Sequence, residues 1–143
     1  MTRFRHAPRA RENPLLQRVE MRAVFPQFRW CITRAGGVQW KGPLQPTPDS
    51  PLYEVRIVHE RERTPRTYVD RPAVRTDAPH RYPDGSLCLY WSDEWIWIAR
   101  ESLAVTIVPW TAFWLYYYEL WLVTSEWLGP SSPHRAETTK EVA

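Results

Sequence analysis

The residue best placed for chemistry in this sequence is Cys88, which ends the stretch HRYPDGSLC. A Pro-Asp-Gly turn precedes it, and Gly85 gives that turn backbone freedom. A nucleophilic cysteine needs thiolate character, access and stabilisation of the oxyanion that forms when sulfur attacks a carbonyl. His80 could orient or protonate groups at such a site, whereas His59 and His134 are candidates only if the fold brings them near. Spacing alone fits a cysteine–histidine hydrolase, but it favours a structural thiol.

The other cysteine, Cys31, lies far from Cys88 in sequence. Two cysteines with scattered histidines lack the paired ligand spacing of a zinc site, and no phosphate-binding loop or dinucleotide fingerprint is present. We therefore predict no metal and no cofactor. The arginine-rich N-terminus contains no apolar segment that would mark a secretory signal. The expectation is a cytoplasmic protein with two free thiols rather than a disulfide.

The charge balance is mildly basic, with a net charge of +3 and a pI near 9.1. Much of the excess lies in residues 1–12, which can contact phosphates or an acidic partner. A frayed, solubilising arm is the better interpretation, and we predict no nucleic-acid binding. A chain of 143 residues supports one core. We predict a disordered basic arm over residues 1–12, one domain over residues 13–130 and a flexible tail over residues 131–143.

An uncharged run over residues 102–118 requires a membrane test. The run is at the short limit for a spanning helix, it contains Pro109, and Glu101 and Glu119 bound it closely. We therefore predict a pair of buried helices and no membrane association.

Patterning predicts a helix, a sheet and two further helices. Asn13 and Pro14 suit a helix start, and a helix is predicted over residues 14–25. The residues Leu52–His59 alternate apolar and polar side chains, which is the clearest strand pattern in the chain. The predicted strands cover residues 28–33, 38–41, 52–59 and 66–69, with a hairpin at residues 35–37 and a loop over residues 42–51. Short connections indicate a four-stranded antiparallel meander.

The region after the sheet is predicted to be irregular over residues 70–97, and such long segments are usually functional. Helices are predicted over residues 99–108, ending near Pro109, and over residues 111–124, with Thr111 as the cap. Aromatic side chains recur on the second helix at spacings of three and four, namely Trp114, Tyr117, Tyr118 and Trp121. That stripe fits a ligand box, but core packing is the better interpretation.

This order of elements resembles the ubiquitin-conjugating enzyme fold, an α+β fold with an N-terminal helix, a four-stranded meander, a long active-site segment and C-terminal helices. The resemblance extends to short motifs. Gly42-Pro43 and Thr47-Pro48 precede the strand LYEVRIV, a proline-rich bend follows the fourth strand at residues 68–72, and tryptophans follow the cysteine at positions 91, 95 and 97. The segment Gly85-Ser86-Leu87-Cys88-Leu89 matches the family's active cysteine closely. The resemblance implies that Cys88 is the catalytic nucleophile.

The main departure from the family pattern lies at residues 78–80. Ala78-Pro79-His80 stands where the family has His-Pro-Asn, so His80 replaces an asparagine thought to steady the loop or the oxyanion. His80 can serve as an oxyanion donor or as a base towards the attacking amine, and a structural role is also open. The resemblance further implies that Tyr82, Asp84 and Gly85 shape the active-site loop.

The last third resembles the bacterial ubiquitin-conjugating-like proteins of cyclic-oligonucleotide antiphage signalling systems (CBASS). The matching residues are Val108-Pro109-Trp110-Thr111, Trp114-Leu115 and Tyr118-Glu119-Leu120-Trp121-Leu122. This resemblance implies a cysteine-dependent acyltransferase that carries a protein by its C-terminus, the cargo being a nucleotide cyclase of the CD-NTase type. The sequence shows no nucleotide-binding glycine loop of an activating domain, so we expect loading to come either from a separate activating enzyme or from a partner that is already activated. Glu119 and His134 are remote contributors of low weight.

Two other functions stay open on the sequence. A non-catalytic binding module with this fold would hold a ubiquitin-like partner, and the loss of the family asparagine favours it, whereas the retained Cys88 opposes it. A thiol hydrolase would cleave such conjugates instead of building them. The conjugating enzyme and the binding module differ in whether an adduct that reductant removes forms with a partner protein.

Overall fold

The computed structural model describes residues 14–60, 63–89 and 102–130. Its elements are α1 (Pro14–Val24), β1 (Arg29–Ile32), β2 (Val38–Leu44), β3 (Tyr53–His59), β4 (Arg66–Arg71) and α2 (Ile107–Thr124). The strands form one antiparallel sheet in the order β1-β2-β3-β4, as the short connections predict. The predicted arm, the predicted tail and residues 99–101 of a predicted helix lie outside the described residues.

The N-terminal helix begins at Pro14, close to the predicted start. A proline fits there because the first turn of a helix has amide groups without intrahelical acceptors. The helix buries Met21 and Gln17, whereas Leu15 is 57% exposed. The Gln17 side chain accepts a hydrogen bond from the Leu103 backbone N–H at 3.1 Å, which joins α1 to the segment before α2.

The strand β2 is longer than predicted, because residues 42–44 belong to it and not to a loop. Gly42 is required there, since a Cβ atom would lie 2.9 Å from Phe28 Cα. Pro43 fits because β1 pairs with β2 only as far as Lys41. At position 43 none of the described strands lies on that side of β2 to accept an N–H hydrogen bond, so a proline, which has no N–H, loses nothing there. The prediction of a loop from residue 42 was wrong because Pro43 lies beyond the end of β1 and interrupts no pairing with that strand.

The strand β3 has the predicted alternation, with Tyr53, Val55 and Ile57 buried on one face. The strand begins at Tyr53, one residue later than predicted. Leu52 lies before it and is 65% exposed. The fourth strand continues two residues beyond the predicted end at Val69. The alternation of buried and less buried side chains along β3 therefore shows which face of the sheet packs on the core.

Within residues 102–130 the structure has one helix, whereas the sequence predicted two over residues 99–124. The helix α2 begins at Ile107, so Pro109 is its third residue and lies in the first turn, where a proline removes no helical hydrogen bond. Thr111 is not a cap: its side chain is buried, and its hydroxyl donates to the Ile107 carbonyl at 2.7 Å. The preceding residues 102–106 form turns. The helix ends at Thr124 and is capped by Ser125, which has a left-handed φ of 61° and donates its N–H to the Trp121 carbonyl.

The uncharged run therefore packs into the core, as predicted. A single cluster joins the buried face of the sheet to α1, the turns and α2; its fully buried members include Met21, Val55, Ile57, Leu103, Ile107 and Leu115. Each such side chain contributes about 1.5–3 kcal/mol relative to an exposed position. Among the described helices, none has the length and apolar character to cross a membrane.

Candidate active site around Cys88

The segment before Cys88 folds as a tight hairpin. Arg81 pairs with Leu87, and the flanking backbone hydrogen bonds run from Tyr82 N–H to the Ser86 carbonyl and from Cys88 N–H to the His80 carbonyl, each at 2.9 Å. Gly85 closes the turn with an N–H bond to the Tyr82 carbonyl at 2.9 Å and has a φ of 88°. This is a three-residue hairpin with glycine in the left-handed position. The hairpin thus brings Cys88 opposite His80.

The hairpin is attached to the sheet through its second arm. The Leu87 N–H donates to the Thr67 carbonyl of β4 at 2.8 Å. Leu87 and Ser86 are buried, with 4% and 1% of their surfaces exposed. Because the two preceding residues are anchored, the backbone of Cys88 has a fixed position beside the core, while its side chain is only partly buried.

Asp84 connects the turn of this hairpin to β4. One carboxylate oxygen accepts from the Ser86 hydroxyl at 2.6 Å and from the Ser86 N–H at 3.0 Å. The other accepts from the Tyr68 hydroxyl at 3.2 Å and forms an ion pair with Arg66. The hydrogen bonds from Ser86, followed by those from Arg66 and Tyr68, lower the pKa of Asp84 to about 2. A charged carboxylate therefore fastens the turn at neutral pH.

The Cys88 sulfur lies 3.6 Å from the hydroxyl oxygen of Tyr82. This contact crosses the hairpin, and Tyr82 is 43% exposed. Sequence reasoning places Tyr82 in the loop but does not predict the contact, because neither spacing nor residue type fixes how a hairpin twists. Cys31 is exposed on β1, where it pairs with Gln39, and neither Cys31 nor Cys88 forms a disulfide.

His80 contacts the site through its backbone. Its carbonyl accepts the Cys88 N–H and also the Trp114 indole N–H at 3.0 Å. Its φ is 56°, a left-handed conformation that histidine, asparagine and aspartate adopt more readily than most residues. The imidazole packs against Trp127, with ring centroids 4.9 Å apart. The Cys88 amide and the two tryptophans therefore determine the position of residue 80.

The aromatic stripe of α2 holds the segment that precedes His80. Trp114 stacks on Tyr118 with ring centroids 5.4 Å apart, and the Tyr118 hydroxyl accepts the Arg75 N–H at 3.1 Å. The Arg75 guanidinium lies 4.9 Å from the centroid of the Trp121 ring, within the range of a cation–π contact. The core interpretation of the stripe is thus correct, but sequence reasoning did not predict that the stripe positions the segment before Cys88.

The remaining sequence candidates lie elsewhere. Glu119 accepts a hydrogen bond from the Ser50 hydroxyl at 2.7 Å and contacts Tyr53, whose pKa is raised by burial and by this carboxylate. Glu119 therefore anchors the loop before β3. His59 ends β3 opposite Val38, and burial lowers its pKa. His134 lies outside the described residues.

A depression of about 250 Å³ adjoins the hairpin on the Tyr82 side. It is lined by Thr64, Pro65, Arg66, Tyr82, Ser86, Leu87 and Leu89. Within residues 14–60, 63–89 and 102–130, no cluster of three or more His, Cys, Asp or Glu side chains could hold a metal ion. The groups in contact at the site are the Cys88 thiol, the Tyr82 phenol and the backbone of His80, and a thiol of this kind can serve as a nucleophile in acyl transfer.

The comparison with protein families gives a match over most of the chain. The family described as "Type II CBASS E2 protein" matches residues 17–135. No curated protein matches the chain. The match spans most of the sequence and includes most of α1, the whole sheet, the Cys88 hairpin and α2. The chain therefore belongs to the family of type II CBASS E2 proteins.

Proposed function

We propose that this protein is a conjugating acyltransferase in which Cys88 carries a protein cargo as a thioester. Membership of the family indicates an E2-like role in CBASS antiphage defence and interaction with other CBASS proteins. The finer proposal is that Cys88 accepts the C-terminal carbonyl of a CD-NTase-type cyclase and passes it to an amine. The reaction would take place in the cytoplasm, and a separate enzyme would supply the activated C-terminus.

The observation that carries this proposal is the position of the Cys88 thiol. The thiol ends an anchored hairpin, is partly accessible and contacts a phenol hydroxyl at 3.6 Å. A structural cysteine of the core is usually buried among apolar groups and inert. Anchoring the backbone that leads to a nucleophile reduces the entropy that must be lost in the attack.

The chemistry has two balanced steps. In loading, the Cys88 thiolate attacks the activated carbonyl carbon, a C–S bond forms, and the activating group leaves with its electron pair. In discharge, an amine attacks the same carbon, a C–N bond forms, the C–S bond breaks, and the sulfur retains the electron pair. The amine loses one proton to a base or to water. Each step passes through an oxyanion that needs a hydrogen-bond donor.

His80 is proposed to act on one of these groups, as the oxyanion donor or as the base that accepts the amine proton. Support for its proximity comes from the backbone hydrogen bond between Cys88 and His80. Tyr82, Asp84 and Gly85 are proposed to shape the loop. The depression beside the hairpin would accept the last residues of the cargo, because Leu87 and Leu89 line it on either side of Cys88 along the chain.

The test is a non-reducing gel of the protein with a cyclase and an activating enzyme. We expect a band of the combined mass that disappears with reductant. Cys88→Ser should replace it with a reductant-resistant oxyester or with no band, whereas Cys31→Ser should leave it unchanged, since Cys31 is exposed on β1. The absence of an adduct with every partner would refute the proposal and support the binding module.

Two replacements of His80 distinguish its roles in the same assay. Asparagine tolerates the left-handed conformation and keeps a donor, but it cannot act as a base. If His80 is an oxyanion donor, His80→Asn should load and discharge normally, whereas His80→Ala should be slow in both steps. If His80 is the base, His80→Asn should load normally and fail to transfer to the amine.

A further inference from the structure

We propose that Tyr82 is a catalytic residue, whose phenol donates a hydrogen bond to the Cys88 sulfur whenever that sulfur carries charge. The inference rests on the proposed function, because the charged sulfur is both the nucleophile of loading and the leaving group of discharge. It adds to the loop-shaping role a direct contact with the reacting atom.

The first support is the contact itself. The sulfur and the Tyr82 hydroxyl oxygen are 3.6 Å apart, within the distance of a sulfur hydrogen bond. When the Cys88 sulfur carries its proton, the thiol donates to the phenol oxygen of Tyr82. After the thiol loses its proton it has only acceptor capacity, so the direction must reverse and the phenol becomes the donor. The rotation of one hydroxyl hydrogen is sufficient for this change.

The second support is the anchored backbone of Tyr82. Its N–H donates to the Ser86 carbonyl and its carbonyl accepts from the Gly85 N–H, each at 2.9 Å, so both backbone groups are engaged within the turn. The carboxylate of Asp84 fastens the same turn to β4. A donor held in place before the charge develops loses little entropy when it acts.

The third support is that Tyr82 borders the side from which an acyl group can approach. Tyr82 is 43% exposed and lines the depression beside the hairpin, together with Leu87 and Leu89. During discharge the C–S bond breaks and the electron pair passes to sulfur, while the amine proton passes to a base or to water. The phenol keeps its proton throughout and stabilises the departing thiolate.

The test measures the reactivity of Cys88 without any cargo. In a Cys31→Ser background Cys88 is the one remaining cysteine, since the chain has two. The probe is iodoacetamide at pH 7, with the alkylation rate followed by intact mass. Tyr82→Phe keeps the ring and removes the hydroxyl, and Tyr116→Phe on α2 is the matched control, because Tyr116 is similarly exposed at 41%.

We expect Tyr82→Phe to alkylate about three- to tenfold more slowly than the parent, because one hydrogen bond to a charged group is lost and water replaces it only in part. Tyr116→Phe should match the parent, and in concentrated urea all three proteins should react at the same rate. An unchanged or faster rate for folded Tyr82→Phe would overturn the inference.

The gel assay separates this inference from the proposed function. Slower alkylation of Tyr82→Phe with no thioester for any cargo would support the sulfur–phenol interaction and refute the acyl-transfer function. Unchanged alkylation with a normal thioester yield would refute the role of Tyr82 and leave acyl transfer in place.

Discussion

Replacing Asp84 with asparagine should destabilise the protein at neutral pH and have less effect in acid. The carboxylate accepts two hydrogen bonds from Ser86 and one from Tyr68, and it pairs with Arg66. Asparagine has nearly the same size but carries no charge, so it loses the ion pair and weakens each remaining bond. The comparison therefore isolates the charge that fastens the hairpin turn to β4.

The expected magnitude follows from the pKa of Asp84, which is about 2 instead of 3.8. Counted in full, this difference corresponds to about 2.4 kcal/mol. The Asp84 side chain is 35% exposed, so solvent screening reduces the contribution, and we expect a loss of about 1 kcal/mol in the free energy of unfolding. The folded-state pKa is depressed, so this stability is present above about pH 4 and is lost as the pH falls through 2.

The assay is urea unfolding followed by tryptophan fluorescence, from pH 7 down to pH 3. The difference between the parent and Asp84→Asn should fall to about half its neutral value by pH 3. Asp77→Asn is the matched control, because Asp77 forms a surface ion pair with Arg75 and is 59% exposed; it should cost less than about 0.5 kcal/mol. A difference that is independent of pH, or equal losses for the two variants, would show that the charge on Asp84 does not stabilise the turn.

Two further substitutions test what positions the site and what does not. Trp114→Phe removes the indole N–H that donates to the His80 carbonyl. The variant should lose about 2 kcal/mol in the free energy of unfolding measured in urea, and its thioester yield on the gel should fall. An unchanged yield would contradict the positioning role of Trp114. Glu119→Ala removes the acceptor of the Ser50 hydroxyl. The variant should lose about 1–2 kcal/mol in the free energy of unfolding, and its thioester yield should not change. A reduced yield in the folded variant would indicate that Glu119 contributes to catalysis.

The parts of the fold that the sequence predicts well are those with a strong local period. The alternation in β3 predicts which side chains are buried, and short connections predict the antiparallel order. Both features depend on residues close together in the chain. The place of Cys88 at the end of a glycine turn is predictable for the same reason, since Gly85 and its left-handed φ belong to one hairpin.

The features that sequence reasoning missed depend on neighbours distant in the chain. Proline indicated an interruption at positions 43 and 109, yet Pro43 lies where β1 no longer pairs and Pro109 lies in the first turn of α2. The effect of a proline on backbone hydrogen bonding depends on whether its position needs a donor. That requirement is set by where a partner strand ends or where a helix begins, and local sequence does not contain it.

The site shows the same division, since its tertiary contacts join distant segments. Arg66 of β4 reaches Asp84, and Trp114 of α2 reaches the His80 carbonyl. Each of these residues has a structural explanation when considered alone: a strand charge in the first case and a core aromatic in the second. A sheet and a helix must pack before either contact forms, so a search for catalytic spacing cannot find them.

The histidine at position 80, where the sequence resemblance implies an asparagine, can be understood by separating its backbone from its side chain. The backbone adopts a φ of 56°, and its carbonyl accepts hydrogen bonds from both Cys88 and Trp114. Histidine and asparagine both tolerate this conformation, so either residue can preserve the two hydrogen bonds. The exchange therefore changes the chemistry of the side chain, from an amide to an imidazole, without requiring another position for the Cys88 backbone. A departure from the family motif at this residue is consequently no argument against a catalytic Cys88.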